Sequence, residues 1–275
     1  MDVSFASLRP RAELAPYVTA LHGARSHGGP PQRQLELPVP GTAVILALEH
    51  RWRIASREHA PVKGHTSFAG GLTLTPAVSE HDGAYEVVEA MLTPSGTAAV
   101  LGVPCAWLVG DVVALDALLG AEAELLAERL AGLPGWSARL RAFEAWLARR
   151  VEQRRPAPSP DVAWALRRLE STGGRVAVGT VQAELRCSRR HLSARFAEQV
   201  GTTPKAYAQL VRFGQAAGRL RAGQAPATVA TACGYADQAH LTRHVRRFGS
   251  TTPAALRRSA VAPVTTVQDA AVLRA

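Results

Sequence analysis

Two stretches of this 275-residue chain repeat a set of side chains suited to touching a polyanion. SRRHLSARFAEQVGTTP, residues 188–204, and GYADQAHLTRHVRRFGSTTP, residues 234–253, each hold a His-Leu-Ser/Thr segment. Each closes on a Thr-Thr-Pro whose proline lies thirteen residues beyond the His. In the first copy Ser188 stands where a helix N-cap belongs, able to accept from a free backbone N–H. Leu192, Phe196 and Val200 follow at four-residue spacing and face a core, which leaves Arg189, Arg190, Ser193 and Arg195 on exposed sides. In the second copy Asp237 takes the cap position, Leu241 and Val245 are the buried pair, and Gln238, His240, Thr242, Arg243, Arg246 and Arg247 face outward. Arg can donate paired hydrogen bonds to guanine, Gln can bond adenine in the same way, and Ser or Thr can reach bases or phosphates. The unpaired N–H groups of a helix N-terminus add phosphate binding.

His191 and His240 occupy matched places, yet neither has a Cys or carboxylate at ligand spacing in the sequence, so neither metal nor catalysis is expected of them. Helix packing and a phosphate or base contact are the roles that remain. Pro204 and Pro253 are expected to open the next helix after a Thr cap.

The elements that would carry these side chains are short helices over 161–171, 178–186, 188–200, 204–222, 226–233 and 237–248, divided by glycines. Pieces of about eight to twelve residues joined by brief turns have the size of helix-turn-helix units. PKAYAQLVRFGQAAGRLRAG, residues 204–223, lies between the two units and would span about 28 Å as a continuous helix. Successive major-groove faces recur about every 34 Å, so one chain could set both probes on one side of a duplex. Gly214 and Gly218 weaken this connecting helix by about 1 kcal/mol each, or permit close packing against a neighbour.

Charge separates the chain at the same place. Residues 1–156 hold 15 Lys and Arg against 16 Asp and Glu, a balance of −1, and residues 157–275 hold 17 against 6, a balance of +11. All of the net +10 therefore sits in the half with the repeated segment. RRPAPSPD, residues 154–161, marks the boundary, with 154–160 expected as a linker between residues 1–153 and 161–258. Residues 259–275 show no sustained period and are expected to be disordered.

The first half reads as β-rich over about 1–104, with strands over 42–54 and 85–92. From Asp111 it reads as helical, and Trp136, Leu140, Phe143 and Leu147 form an apolar stripe expected to pack on the sheet, with Arg139, Arg141 and Arg149 on other faces. The fold class is thus α+β: a β-rich domain with appended helices, then an all-α domain of two helix-turn-helix units. Its six histidines, His22, His27, His50, His59, His65 and His81, raise the reading of a metal-dependent β-domain enzyme, but no His-x-His pair occurs and Glu80-His81-Asp82 reads as a turn with Gly83. Trp52, Phe68, Tyr85 and Trp107 read either as the lining of a ligand cavity or as plain core. Cys105, Cys187 and Cys233 are widely spaced and read as structural thiols. The N-terminus lacks a signal-peptide pattern and no 18-residue apolar run occurs, so a soluble cytoplasmic, nucleoid-associated protein without membrane contact is expected.

Residues 161–258 resemble the C-terminal DNA-binding domain of AraC/XylS-type transcriptional regulators, with two helix-turn-helix units joined by a long helix. The resemblance rests on SRRHLSARFAEQVGTTPKAYAQLVRF and on ATVATACGYADQAHLTRHVRRFGSTTPAAL. Residues 1–150, with APYV and LTPSGTAAVLGVP, are more loosely similar to the N-terminal domain of actinobacterial-type members. The resemblance implies that Arg190, Ser193 and Ala194 face the bases from the first recognition helix, and that Gln238, Ala239, His240, Thr242 and Arg243 do so from the second. Two departures concern the first unit. Ala194 stands where a basic residue is frequent, and Arg186 stands where Gly is frequent. If that backbone is left-handed, Arg costs about 1 kcal/mol more than Gly.

Unit two is therefore expected to read sequence more sharply, or unit one to read different bases. The implied partners are double-stranded DNA, a small-molecule effector at the N-terminal domain, RNA polymerase for an activator, and a second copy of the chain. No cofactor is expected. The alternatives are a regulator without a small ligand, controlled by protein partners or abundance, and a β-domain enzyme tethered to DNA. The latter would need a reactive Cys, whereas Cys105 in GVPCAW has apolar neighbours.

Overall fold

A computed structural model describes residues 3–49, 52–55, 63–153, 158–259 and 265–266. Its N-terminal half alternates short strands: β1 (Val3–Leu8), β2 (Val18–His27), β3 (Gln32–Glu36), β4 (Thr42–Glu49), β5 (Trp52–Ala55), β6 (Lys63–His65), β7 (Ser67–Gly70), β8 (Ala77–His81) and β9 (Ala84–Leu92). Helix α1 (Pro94–Leu101) follows, then β10 (Val112–Ala114), α2 (Leu115–Leu119), α3 (Glu122–Ala131) and α4 (Gly135–Gln153). One sheet has the order β10-β7-β4-β9-β2-β1 and adds a two-residue strand, β11 (Thr265–Thr266), parallel to β1. The second sheet has the order β3-β8-β5-β6.

Three expectations change here. Residues 42–54 are two strands in different sheets, because the β4–β9 register shifts between Ala47 and Glu49 before the chain crosses over. The helical segment expected from Asp111 starts as a strand: Val112–Ala114 pairs with β7, where a β-branched pair suits a sheet edge better than a helix. The β-rich region also contains α1, whose start is fixed by the Thr93 hydroxyl accepting from the Gly96 amide and by Pro94 in the first turn.

Helix α4 packs on the first sheet. Leu140, Phe143 and Leu147 are fully buried, and Trp136 fits because Gly23 of β2 has no side chain; a Cβ there would lie 2.4 Å from the indole. Arg139, expected on an outer face, is instead 8% exposed. Its guanidinium pairs with the buried Glu86 carboxylate and donates to the Leu133 and Ala131 carbonyls, so its charge is compensated. Arg141 and Arg149 are exposed.

The C-terminal half is helical: α5 (Pro160–Ser171), α6 (Val178–Glu184), α7 (Arg189–Val200), α8 (Pro204–Arg221), α9 (Pro226–Ala232), α10 (Gln238–Gly249) and α11 (Pro253–Arg258). Pro160 opens α5 instead of ending the linker, and residues 154–157 of that expected linker lie outside the described residues. Of the tail expected to be disordered, Ser259 and the paired Thr265–Thr266 are described, the latter as strand; the remainder lies outside the described residues. The two halves do not stand apart. Leu72 and Cys105 join the same buried cluster as the C-terminal helices, Leu37, Leu74 and Val109 pack against it, and the Tyr207 hydroxyl lies 3.1 Å from the Pro40 carbonyl. Among the described residues no helix is long and apolar enough to cross a membrane.

Candidate nucleic-acid interface

Each helix-turn-helix unit is built from a short helix, a turn and a capped second helix. In unit one α6 leads through Arg186 and Cys187 to Ser188, whose hydroxyl accepts from the His191 amide at 3.1 Å. In unit two α9 leads through Gly234, Tyr235 and Ala236 to Asp237, whose carboxylate accepts from the His240 amide at 2.6 Å. The second turn has one residue more, so the matched caps lie 49 positions apart while α6 and α9 begin 48 apart. Both turns need a left-handed residue: Gly234 has φ 69° and Arg186 has φ 50°. The condition raised by the sequence is therefore met, and Arg186 carries a backbone cost of about 1 kcal/mol.

The apolar faces lie inward. Leu192, Phe196 and Val200 of α7 and Leu241, Val245 and Phe248 of α10 are fully buried. Both helices end in Thr-Thr-Pro: Thr203 and Thr252 accept from the Ala206 and Ala255 amides, and Pro204 and Pro253 occupy the first turn of α8 and α11. Helix α8, 18 residues long, separates the units by a rod of about 27 Å.

None of the fourteen residues singled out from the sequence is buried. Ser188, Arg189, Arg190, Ala194, Asp237, Gln238, Ala239, Arg243, Arg246 and Arg247 are exposed, and Ser193, Arg195, His240 and Thr242 are half-buried. On α10 Gln238, Thr242 and Arg246 follow one another at i, i+4 and i+8, and Ala239 and Arg243 flank them on the next row, opposite the buried stripe. Among the described residues Arg189, Arg190, Arg243 and Arg246 have no side-chain partner in the protein, which leaves four guanidinium groups available to a ligand.

Several of the fourteen are already engaged. Thr242 donates to the Gln238 carbonyl at 2.9 Å, and Arg247 donates to Gln209 of α8 and lies over the Phe248 ring. Arg195 stands on the flank of α7 away from Ser193 and near Asp161 of α5. Desolvation would raise the Asp161 carboxyl, but hydrogen bonds from Ser159 and Val162, with the Arg195 charge, hold it below its ordinary value. His191, without a carboxylate at ligand spacing in the sequence, meets the same Asp161 across the fold at 3.4 Å.

Sequence reasoning missed the support under unit two. Tyr235 stacks edge-on against His240 and His244, its hydroxyl 3.4 Å from Nδ1 of His244. His244 is 7% exposed, and burial first, then the charges of His240, Arg212 and Arg247, push its pKa down to about 4. The visible signal was the i, i+4 pair His240 and His244 on one helix.

In the N-terminal half, Phe68 is core, Tyr85 is half-buried and Trp107 is 72% exposed, so these aromatic residues share no lining; the Trp52 side chain, His50 and His59 lie outside the described residues. Burial pushes the Cys105 thiol up to about 11, away from nucleophilic chemistry. All three cysteines are free thiols. Among the described residues no cluster of His, Cys, Asp and Glu is placed to hold a metal ion.

A family model described as "Helix-turn-helix domain" matches residues 181–259, from inside α6 to the end of α11. This region is a helix-turn-helix domain. A helix-turn-helix domain at this place supports a DNA-binding transcription regulator. The whole architecture is similar to that of ToxT from Vibrio cholerae O395, with 10% identity, TM-score 0.54, and 88% of this chain and 99% of that chain covered. It is similar also to ToxT from the same organism bound to (E)-4-(8-methylnaphthalen-1-yl)but-3-enoic acid, with 10% identity, TM-score 0.51, and coverage of 87% and 98%. At this identity the likeness is one of fold: a β-rich domain ahead of a helical one. No curated protein matches.

Proposed function

We propose that this chain is a sequence-specific regulator that inserts α7 and α10 into successive major-groove segments on one side of a duplex, under control of a small molecule at residues 1–153. One observation carries the first part: two capped helices present unpaired Arg side chains outward, on two units held about 27 Å apart by α8. In this reading residues 161–258 bind DNA. Arg190, Ser193 and Ala194, and Gln238, Ala239, His240, Thr242 and Arg243, face base edges. Ser188, Arg189, Asp237, Arg246 and Arg247 border the backbone, and Arg195 braces α7 against α5.

Effector control is supported by the direct packing of the β-rich half on unit one and by the bound acid of the similar ToxT structure. A ligand that shifts the β-rich half against α7 would change how α7 meets DNA. The protein would act on nucleoid DNA in the cytoplasm, with RNA polymerase as partner for activation and a second copy of the chain on longer sites.

Selection of duplexes from a random-sequence pool by the full-length protein tests the binding reading. It should enrich two blocks about one helical turn apart, and affinity should fall by about 10³ to 10⁵ between 50 and 200 mM salt if 6–10 phosphates are contacted. A flat salt profile, or no enrichment, contradicts it. Thermal-shift screening of metabolites tests the effector, and persistent absence of stabilisation favours the ligand-free regulator.

A further inference from the structure

Arg212, near the middle of α8, faces neither the expected base-reading surface nor an acidic partner. Its Nη2 donates to the Gly174 carbonyl at 2.7 Å, its Nη1 makes a longer contact of 3.5 Å to the Gly234 carbonyl, and its guanidinium lies over the Tyr235 ring, 5.8 Å from the centroid. Gly174 belongs to the loop that delivers the chain from α5 into unit one. Gly234 is the left-handed turn residue of unit two, 60 positions later. One planar fork thus bonds the turn before unit one and reaches, at longer range, the turn of unit two, a task suited to Arg because its donors diverge in a fixed plane.

The surroundings are shaped for this arrangement. Gly174 has φ 69°, and a Cβ there would lie 2.0 Å from the Ala208 carbonyl oxygen, so the loop sits directly on α8. A Cβ on Gly234 would lie 3.0 Å from the Arg175 side chain, whose Nε donates to the Thr172 carbonyl of the same loop. The loop before unit one and the turn of unit two therefore touch each other as well as Arg212. Tyr235, under the guanidinium, in turn stacks on His240 and His244 of α10.

We propose that Arg212 is a positioning residue that fixes the angle between the two recognition helices, and thereby the spacing between the two blocks of DNA that the protein accepts. The inference rests on the paired-reader function above and adds to it the residue that sets the pitch. A connecting helix alone fixes the distance between its ends but leaves each unit free to rock about it. Tying both turns to one side chain at mid-helix removes that freedom.

The test uses full-length protein and the duplex it enriches from a random pool, together with versions in which the segment between the two blocks is one base pair longer or shorter. One base pair turns one block relative to the other by about 35°. The unaltered protein should lose about tenfold in affinity on the altered spacings, a loss comparable to one mismatched base pair. Arg212→Ala should bind the best spacing more weakly and lose less than threefold between spacings. Arg212→Lys keeps the charge but cannot fork two carbonyls, and should follow Arg212→Ala. A spacing profile for both variants identical to that of the unaltered protein, with affinity lowered uniformly, overturns the proposal and makes Arg212 a phosphate contact or a stabilising residue. If Arg212→Lys restores the spacing profile, charge and not the fork is responsible, and the proposal is again overturned. If the unaltered protein enriches no duplex, the paired-reader function fails instead; circular dichroism and thermal melting of each variant separate loss of fold from loss of pitch.

Discussion

The two helix-turn-helix units meet the same backbone demands with their residues exchanged. Unit one places Arg186 in its left-handed turn and Gly201 at the left-handed end of α7, whereas unit two places Gly234 in the turn and Ser250 at the end of α10. The glycine in unit one is where the β-rich half arrives: a Cβ on Gly201 would lie 2.3 Å from Val109 and 2.8 Å from the Ala106 backbone. The glycine in unit two is where the Arg212 and Arg175 side chains gather. Helices α7 and α10 each carry three Arg, but α7 also carries Glu198 on an exposed face while α10 carries no acid. Unit one thus takes the closer contact from the β-rich half and carries an acid on its recognition helix, whereas unit two carries none.

The largest effect should come from filling the space at Gly201. Gly201→Val meets both a left-handed backbone and the Ala106–Val109 segment, and should lower thermal stability by about 2–4 kcal/mol, since strain adds to overpacking. Ser250→Gly, at the matched position, should instead stabilise by up to about 1 kcal/mol, because it relieves the same backbone strain without filling any space. Equal losses in the two variants would break the comparison. Next in size, Arg243→Ala should cost about 1–3 kcal/mol in binding and relax preference at one base pair, measured by titration of single-substituted duplexes. Arg190→Ala should do likewise in the other block with a smaller loss. The reverse order would make unit one the sharper reader.

Much of this asymmetry was legible in the sequence and some was not. The helical half announced itself through local chemistry: Ser188 and Asp237 before each recognition helix, Thr-Thr-Pro after each, and apolar residues at four-residue spacing. Arg186 in place of a turn glycine was visible as a departure, and its positive φ follows. The β-rich half was harder because its strands are short and change sheets; the shift near Ala47 that splits 42–54 comes from pairing with β9, which no local pattern records. Arg139 looked like a surface cation on a helix because its partner Glu86 lies 53 positions away. Arg212 looked like one more basic residue because what distinguishes it is a pair of carbonyls on two distant turns.

Smaller effects sharpen the comparison further. Arg186→Gly should stabilise the protein by about 1 kcal/mol in chemical denaturation without altering which duplex is selected, whereas Gly234→Arg should destabilise by at least as much. The smallest effect at neutral pH concerns His244, whose folded pKa of about 4 lies below its ordinary 6.5. Above pH 6.5 both folded and unfolded states are neutral there and the residue adds no pH dependence. As pH falls through 6.5 towards 4 the unfolded state takes the proton first, so stability should decline across that window. His244→Gln should flatten that part of the profile, and no other histidine of α10 is as deeply buried.

Hydroxyl-radical footprinting of the full-length protein on the duplex it selects tests the paired reader most directly. Two protected segments about ten base pairs apart on one face are predicted, with Arg190→Ala weakening one and Arg243→Ala weakening the other. A single protected segment, unchanged by Arg190→Ala, would contradict the account.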